Sequence, residues 1–302
     1  MHVRDVGESR LRDAGIPGHF RQLAPSADLE AWGRHLAARE ALRQMVAALG
    51  VDRVMPVKGV VTARWLYDDV IERPIVDLDV RVRRSDVARV AAEARARGWT
   101  IERSAPEYDN LVLDLGGMGV DVEAAVGPPG LCARTVDALF EDAVQVDELF
   151  GFAVLAPELH DHALLLAINA FKDKLAFTSD GCREDLARVV RLPTFDPGRL
   201  ARLARRSRVA AVVWIVADWL ADASDGWRAV RGALGPAPPR RLYVALAKSL
   251  ISRAPLSLAA RLVARAGSDD PRARLRALRS AVAWQLDVWR GPSDWRSEGR
   301  RG

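Results

Sequence analysis

Apolar residues Leu29, Trp32, Leu36, Leu42, Met45 and Leu49 recur at near-helical spacing, which predicts an amphipathic helix over 28–49, capped by Asp28 and stopped by Gly50. The run 53–57 reads as extended, and after Lys58-Gly59 a second helical pattern covers 60–67. From Asp77 the period changes to two. Asp77-Leu78-Asp79-Val80-Arg81-Val82 alternates charged and apolar residues, the mark of a strand with one buried face, so that Asp77 and Asp79 project from the same side. Ser85-Asp86 can cap a helix reaching Arg97, Gly98 ends it, and Trp99-Thr100-Ile101 is extended. The runs 111–115 and 120–123, joined by Gly116-Gly117-Met118-Gly119, read as a β-hairpin.

Beyond Pro157 strand signals fade. Helical patterns cover 160–174, 183–190, 197–223, 239–253 and 272–290, with turns at 236–239 and 267–271. The chain therefore divides into a mixed strand and helix unit over 1–155, which includes the N-terminal helix, and a helical unit over 156–302. A length of 302 residues fits two such units.

Composition narrows the class. Apolar residues at 49% and charged residues at 28% are ordinary for a globular protein and argue against a wholly disordered chain. No apolar run approaches the roughly 20 residues of a membrane span; the best candidate, 209–220, is short and broken by Asp218. The N-terminus has no signal-peptide pattern, so a cytoplasmic location is expected. Cys132 and Cys182 lack neighbours at zinc-ligand spacing and read as plain packing residues. The net charge of +5 is unevenly spread: residues 201–302 carry 20 basic against 8 acidic side chains, so the C-terminal third could face an anionic partner. An arginine-covered helical surface gives the same count.

The candidate chemistry lies in the first unit. Two carboxylates at i and i+2 on one strand can share divalent cations, and a pair of such ions stabilises both the attacking and the leaving oxygen of a displacement at phosphorus. Asp77 and Asp79 suit that task, although a solvent-facing edge strand shows the same alternation for solubility alone. Upstream, Lys58-Gly59 stands where a strand turns into a helix, and backbone N–H groups with a lysine there can hold a triphosphate. Downstream, Asp121 or Glu123 offers a third carboxylate on a strand that could pair beside the first. Only four of the 45 basic residues are lysines, and Lys58, Lys172 and Lys174 fall in the two segments suited to phosphate contact. Arg73, held out of a helix by Pro74, could clamp phosphate oxygens.

Taken together, Val57-Lys58-Gly59, Leu66-Tyr67 and Arg73-Pro74-Ile75-Val76-Asp77-Leu78-Asp79-Val80 resemble a divergent bacterial nucleotidyltransferase-like family of the polymerase β superfamily. The likeness is strong over about 53–125 and continues weakly to about 190. It implies an α+β fold: a small mixed β-sheet core with flanking helices, then a C-terminal all-helical lobe that closes over the nucleotide. It also implies a metal pair at Asp77 and Asp79 with a third carboxylate on a later strand. The superfamily's Gly-Ser pair is replaced here by Lys58-Gly59, as in the divergent branch. Many members carry a histidine where this chain has Glu123, which places the third carboxylate at Asp121 with Glu123 beside it, though both face the same side. In the helical lobe His162, Lys172, Lys174 and Asp185 resemble family positions; the lysines could meet the β- and γ-phosphates and Asp185 could orient one of them. Lys172-Asp173-Lys174 reads equally as a solvated surface, and His162 better as a packing or hydrogen-bonding residue.

The expected activity is Mg²⁺- or Mn²⁺-dependent transfer of a nucleotidyl group from an NTP, with ATP the expected donor, to a hydroxyl of a small molecule, a peptide natural product, or a tRNA or protein. The competing expectations are phosphoryl transfer on the same scaffold and a catalytically silent nucleotide-binding or interaction protein. The missing Gly-Ser pair favours silence, and the three candidate acids oppose it.

Overall fold

The computed structural model describes residues 27–105, 110–128, 130–172, 180–236, 241–253 and 258–290. Helix α1 (Ala27–Leu49) leads into the short strand β1 (Met55–Pro56), helix α2 (Gly59–Leu66), strand β2 (Leu78–Arg81) and helix α3 (Val87–Arg97). Strands β3 (Thr100–Ala105), β4 (Asn110–Leu115) and β5 (Met118–Glu123) complete a five-stranded sheet in the order β1-β2-β5-β4-β3. Every neighbouring pair is antiparallel except β2 and β5, which run parallel.

Alternation gives the sheet two unlike faces. Leu78 and Val80 of β2 and Met118, Val120 and Val122 of β5 are buried against Leu42 and Met45 of α1. Asp79, Arg81, Asp121 and Glu123 occupy the intervening positions and so point to the opposite face. Each buried Val or Leu contributes about 1.5–3 kcal/mol, and a one-residue slip would turn the whole apolar set outward, so the core dictates the register that places the acids. The hairpin turn is tighter than the sequence suggests. Gly116 and Gly117, with φ of 68° and 91°, form it alone, and Met118 and Gly119 already belong to β5. These are the left-handed angles that glycine adopts at no steric cost.

Helix α4 (Val136–Glu141), a two-stranded ribbon of β6 (Val144–Gln145) and β7 (Leu155–Ala156), and the one-turn helix α5 (Asp147–Phe150) link the sheet to the helical half. There follow α6 (Leu159–Lys172), α7 (Asp180–Val189), α8 (Pro197–Arg206), α9 (Ala210–Leu220), α10 (Asp225–Leu234), α11 (Arg241–Arg253), α12 (Leu258–Arg265) and α13 (Pro271–Arg290). The fold is thus α+β, a small mixed sheet with flanking helices followed by helices alone. No helix among the described residues is long and apolar enough to cross a membrane.

Two hydrophobic clusters result. One lies under the sheet; the other is built from the helical half, around Leu164, Phe171, Val212, Val216 and Trp227. They interleave along the chain, since Val126 to Phe140 contribute to the helical cluster while Phe150, Val154 and Ala156 belong to the sheet. Met55, Val57 and Leu66 also join the helical cluster, which ties α2 to the second half.

The single helix expected over 197–223 is broken at 207–209, where Arg208 takes φ of 58°. Asp269, from a distant turn, accepts from the N–H groups of Ala210 and Ala211 and donates its own N–H to the Arg208 carbonyl at 2.6 Å. A cap supplied from another part of the chain starts α9 afresh, and local periodicity carries no sign of it. Helices α4, α5, α10 and α12 were likewise not foreshadowed by the periodicity reading.

Candidate active site

The parallel pairing of β2 with β5 sets Asp79 beside Asp121 and Arg81 beside Glu123. Side chains on one face of adjacent strands start about 4.8 Å apart, and carboxylate oxygens of Asp79, Asp121 and Glu123 come within 4.8 Å of one another. Asp77 precedes β2 and stands at the solvent edge of the group. Burial, then Asp79 and Glu123, push the Asp121 carboxyl above its usual range; partial burial and Asp79 do the same to Asp77. Four acids crowd a site where they repel one another.

Among the described residues two cations answer them. Lys58 Nζ lies 2.5 Å from Asp79 Oδ1, and Arg81 Nη2 lies 2.6 Å from Glu123 Oε2. Their settings differ: Lys58 and Asp79 each retain 13% exposure, whereas Arg81 retains 2%. The Arg81 Nε has no hydrogen-bond partner among the described residues.

Backbone geometry delivers Lys58. It caps α2 with φ of 52° and ψ of −128°, a conformation natural to glycine and strained for any side chain with a Cβ. The lysine therefore stands in a glycine's conformation at the position where the resemblance puts the glycine of a Gly-Ser pair. Gly59 follows because α2 approaches Ile75 closely; a Cβ there would meet Ile75 Cγ2 at 3.2 Å. Next to this junction the Val57 N–H donates to the Asp79 carbonyl at 3.0 Å, binding it to β2.

Arg73, Asp185 and His162 make contacts of their own. Arg73 Nε donates to both oxygens of the buried Asp185, at 2.8 and 2.9 Å, and Tyr67 Oη donates to the same carboxylate at 2.7 Å. Among the described residues, Asp185 is thus engaged by Tyr67 at the end of α2 and by Arg73 in the loop before β2. Arg188 reinforces this clasp, stacking over the Tyr67 ring at 4.1 Å, donating to the Leu66 carbonyl and pairing with Glu72. His162 is fully buried on α6, with Nε2 3.1 Å from Thr62 Oγ1 and Trp65 edge-on. Lys172 ends α6, and Lys174 lies outside the described residues.

Sequence reading gave no role to Arg81 and Arg188, and it named Tyr67 only within the family resemblance. Arg81 shares the period-two alternation with Asp79 and could have been found that way; the other two depend on partners more than 100 residues distant.

A cleft of about 320 Å³ opens elsewhere, between α4, α6 and α8, and none of the nominated residues lines it. Its Arg134, Arg199 and Arg202 are each already paired with an acid.

Chemically, the acidic group offers hard oxygen donors in excess of its two cations, which is what a Mg²⁺ or Mn²⁺ site requires. A family model described as an uncharacterised nucleotidyltransferase matches residues 10–223. No functionally curated protein matches the chain. Among solved structures, a tRNA-processing enzyme complex is 12% identical, covering 78% of this chain and 73% of its own at a TM-score of 0.27. A tRNA nucleotidyltransferase complexed with a primer tRNA and an incoming ATP analogue is 12% identical, covering 87% and 86% at a TM-score of 0.26. The apo form of a tRNA-processing enzyme is 13% identical, covering 83% and 74% at a TM-score of 0.27.

Proposed function

The chain belongs to this nucleotidyltransferase family, and from that premise we propose that it moves an NMP group from an NTP, with ATP the preferred donor, to a hydroxyl of an acceptor at the Asp77, Asp79 and Asp121 cluster. The observation that carries the reading is the register of β2 against β5, which gathers like charges that only a cation would reconcile. Asp77, Asp79 and Asp121 would hold Mg²⁺ or Mn²⁺, and bound ions of this kind neutralise a triphosphate and lower the pKa of an attacking hydroxyl. Asp121 takes the role of third carboxylate because Glu123 is committed to Arg81.

In this reading the chain's own groups divide the work. Lys58 and the first N–H groups of α2 bind the β- and γ-phosphates, joined by Lys172 from the helical half. Asp121 draws the proton from the acceptor hydroxyl, the oxygen attacks the α-phosphorus, and pyrophosphate departs. Arg73, fixed by Asp185, holds the loop that enters β2 and so positions Asp77. The sheet unit carries the chemistry and the helical unit covers the nucleotide. The basic C-terminal third fits an RNA or an acidic protein surface as acceptor, and such binding would weaken steeply with salt.

Incubation with each α-³²P-labelled NTP, Mg²⁺ or Mn²⁺ and cell extract tests the proposal. Metal-dependent labelling of an acceptor that is lost in Asp77→Asn and Asp79→Asn is the expected result. Labelling that survives both substitutions would overturn the assignment of the site, and label carried only by γ-³²P would replace nucleotidyl with phosphoryl transfer.

A further inference from the structure

Lys58 does more than wait for phosphate. Its ammonium already sits 2.5 Å from Asp79 Oδ1, on the carboxylate gathered with Asp121 and Glu123. A divalent cation that draws on that carboxylate meets a positive charge beside it. The second cation, Arg81, cannot make room in the same way, because it is buried to 2% exposure and its partner Glu123 is pinned to it by strand register. Lys58 has a flexible four-carbon stem, some exposure and a compact charge. Its backbone is held in a glycine-like conformation at the N-terminus of α2, the end of a helix that favours negative charge.

We propose that Lys58 is a resident counter-ion at Asp79 which yields that carboxylate to the divalent cation and passes to the triphosphate, so that cation and nucleotide load together. The inference rests on the metal-binding reading given above. It has a signature that other roles for Lys58 lack. A lysine serving only phosphate would, when removed, weaken nucleotide and leave cation binding unchanged. A lysine serving only structure would weaken both. A resident counter-ion, when removed, weakens nucleotide and strengthens cation binding.

Calorimetric titration of the full-length, nucleotide-free protein with Mn²⁺ reads this directly. Lys58→Met is expected to bind Mn²⁺ roughly tenfold more tightly than wild type, since one positive charge leaves the site. Lys58→Arg, which keeps the charge, stays at or below the wild-type affinity. With Mn²⁺ saturating, an α,β-methylene ATP analogue binds roughly tenfold more weakly to Lys58→Met, the loss of one charge-assisted contact. A second measurement needs no variant: in the unaltered protein Mn²⁺ should raise acylation of Lys58 by an amine reagent, and the nucleotide analogue should then suppress it. Unchanged or weaker Mn²⁺ binding by Lys58→Met, unchanged analogue binding, or Lys58 acylation indifferent to Mn²⁺ would overturn the exchange. Mn²⁺ binding that Asp79→Asn abolishes but Lys58→Met does not improve sinks the exchange alone. Mn²⁺ binding indifferent to Asp79→Asn sinks the metal reading as well.

Discussion

Two polar clusters flank α2, and they are built on opposite principles. Around Asp185, Arg73 and Tyr67 supply matched donors to both carboxylate oxygens, and Arg188 ties Glu72 and the Leu66 carbonyl into the same clasp. Around Asp79, the described residues set two cations, Lys58 and Arg81, against four carboxylates, and the carboxyls of Asp77 and Asp121 are held above their usual range. The first cluster stabilises the fold in the state in which it stands. The second is left in want of positive charge, and a deficit maintained by the core's own register is a sign of a ligand to come.

The contrast can be broken from either side. The largest effect is expected from Asp121→Asn, which removes one of the repelling charges: turnover should fall by about 10³-fold, while the thermal midpoint of the nucleotide-free protein stays level or rises. A drop in both would place Asp121 among the structural residues. Asp185→Ala should do the reverse. Removing one partner of a buried pair costs about 3–5 kcal/mol, visible as a shifted urea midpoint, while Mn²⁺ affinity falls only through the loosened loop that carries Asp77 and by less than in Asp79→Asn.

His162 sharpens the comparison, since it is buried and titratable and only burial shifts it among the described residues. Burial lowers its pKa to about 4, against 6.5 for an ordinary histidine. The folded state therefore resists a proton that the unfolded chain accepts. Its contribution to stability is complete above about pH 6.5 and is lost as pH falls toward 4, by up to about 3 kcal/mol. Denaturant midpoints measured between pH 7.5 and 4 should show that loss, and His162→Gln should flatten it. The smallest effect separates backbone from charge at Lys58. Lys58→Gly and Lys58→Ala both delete the ammonium, but only glycine relieves φ of 52°, so the glycine variant should be about 1 kcal/mol more stable than the alanine one. Equal stabilities would mean that the junction relaxes without strain.

The same contrast explains what could be read from sequence. The acidic alternation at 77–82 and 120–123 was legible because a strand writes its two faces into a period of two, and because apolar residues fix the register between strands. Asp121 and Glu123 could be named, but not the commitment of Glu123 to Arg81, which follows only from the parallel pairing. The clasp was not legible at all. Arg73 and Asp185 each looked suited to phosphate chemistry, and the bond between them spans 112 residues with no local pattern to announce it. The break between α8 and α9 escaped for the same reason, since its cap comes from Asp269.

The parallel pairing of β2 with β5 has one more consequence, in the order of synthesis. Helix α3 and strands β3 and β4 intervene between the two strands in the chain and must be laid down before β5 can return beside β2. Closing so long an excursion is slow and comes late. Asp79 leaves the ribosome well before Asp121, and until the hairpin folds back the nascent chain holds its acids apart. A chain cut short anywhere before Asp121 therefore lacks the third of the carboxylates proposed to hold a cation, and the proposed site is assembled only when the sheet is whole.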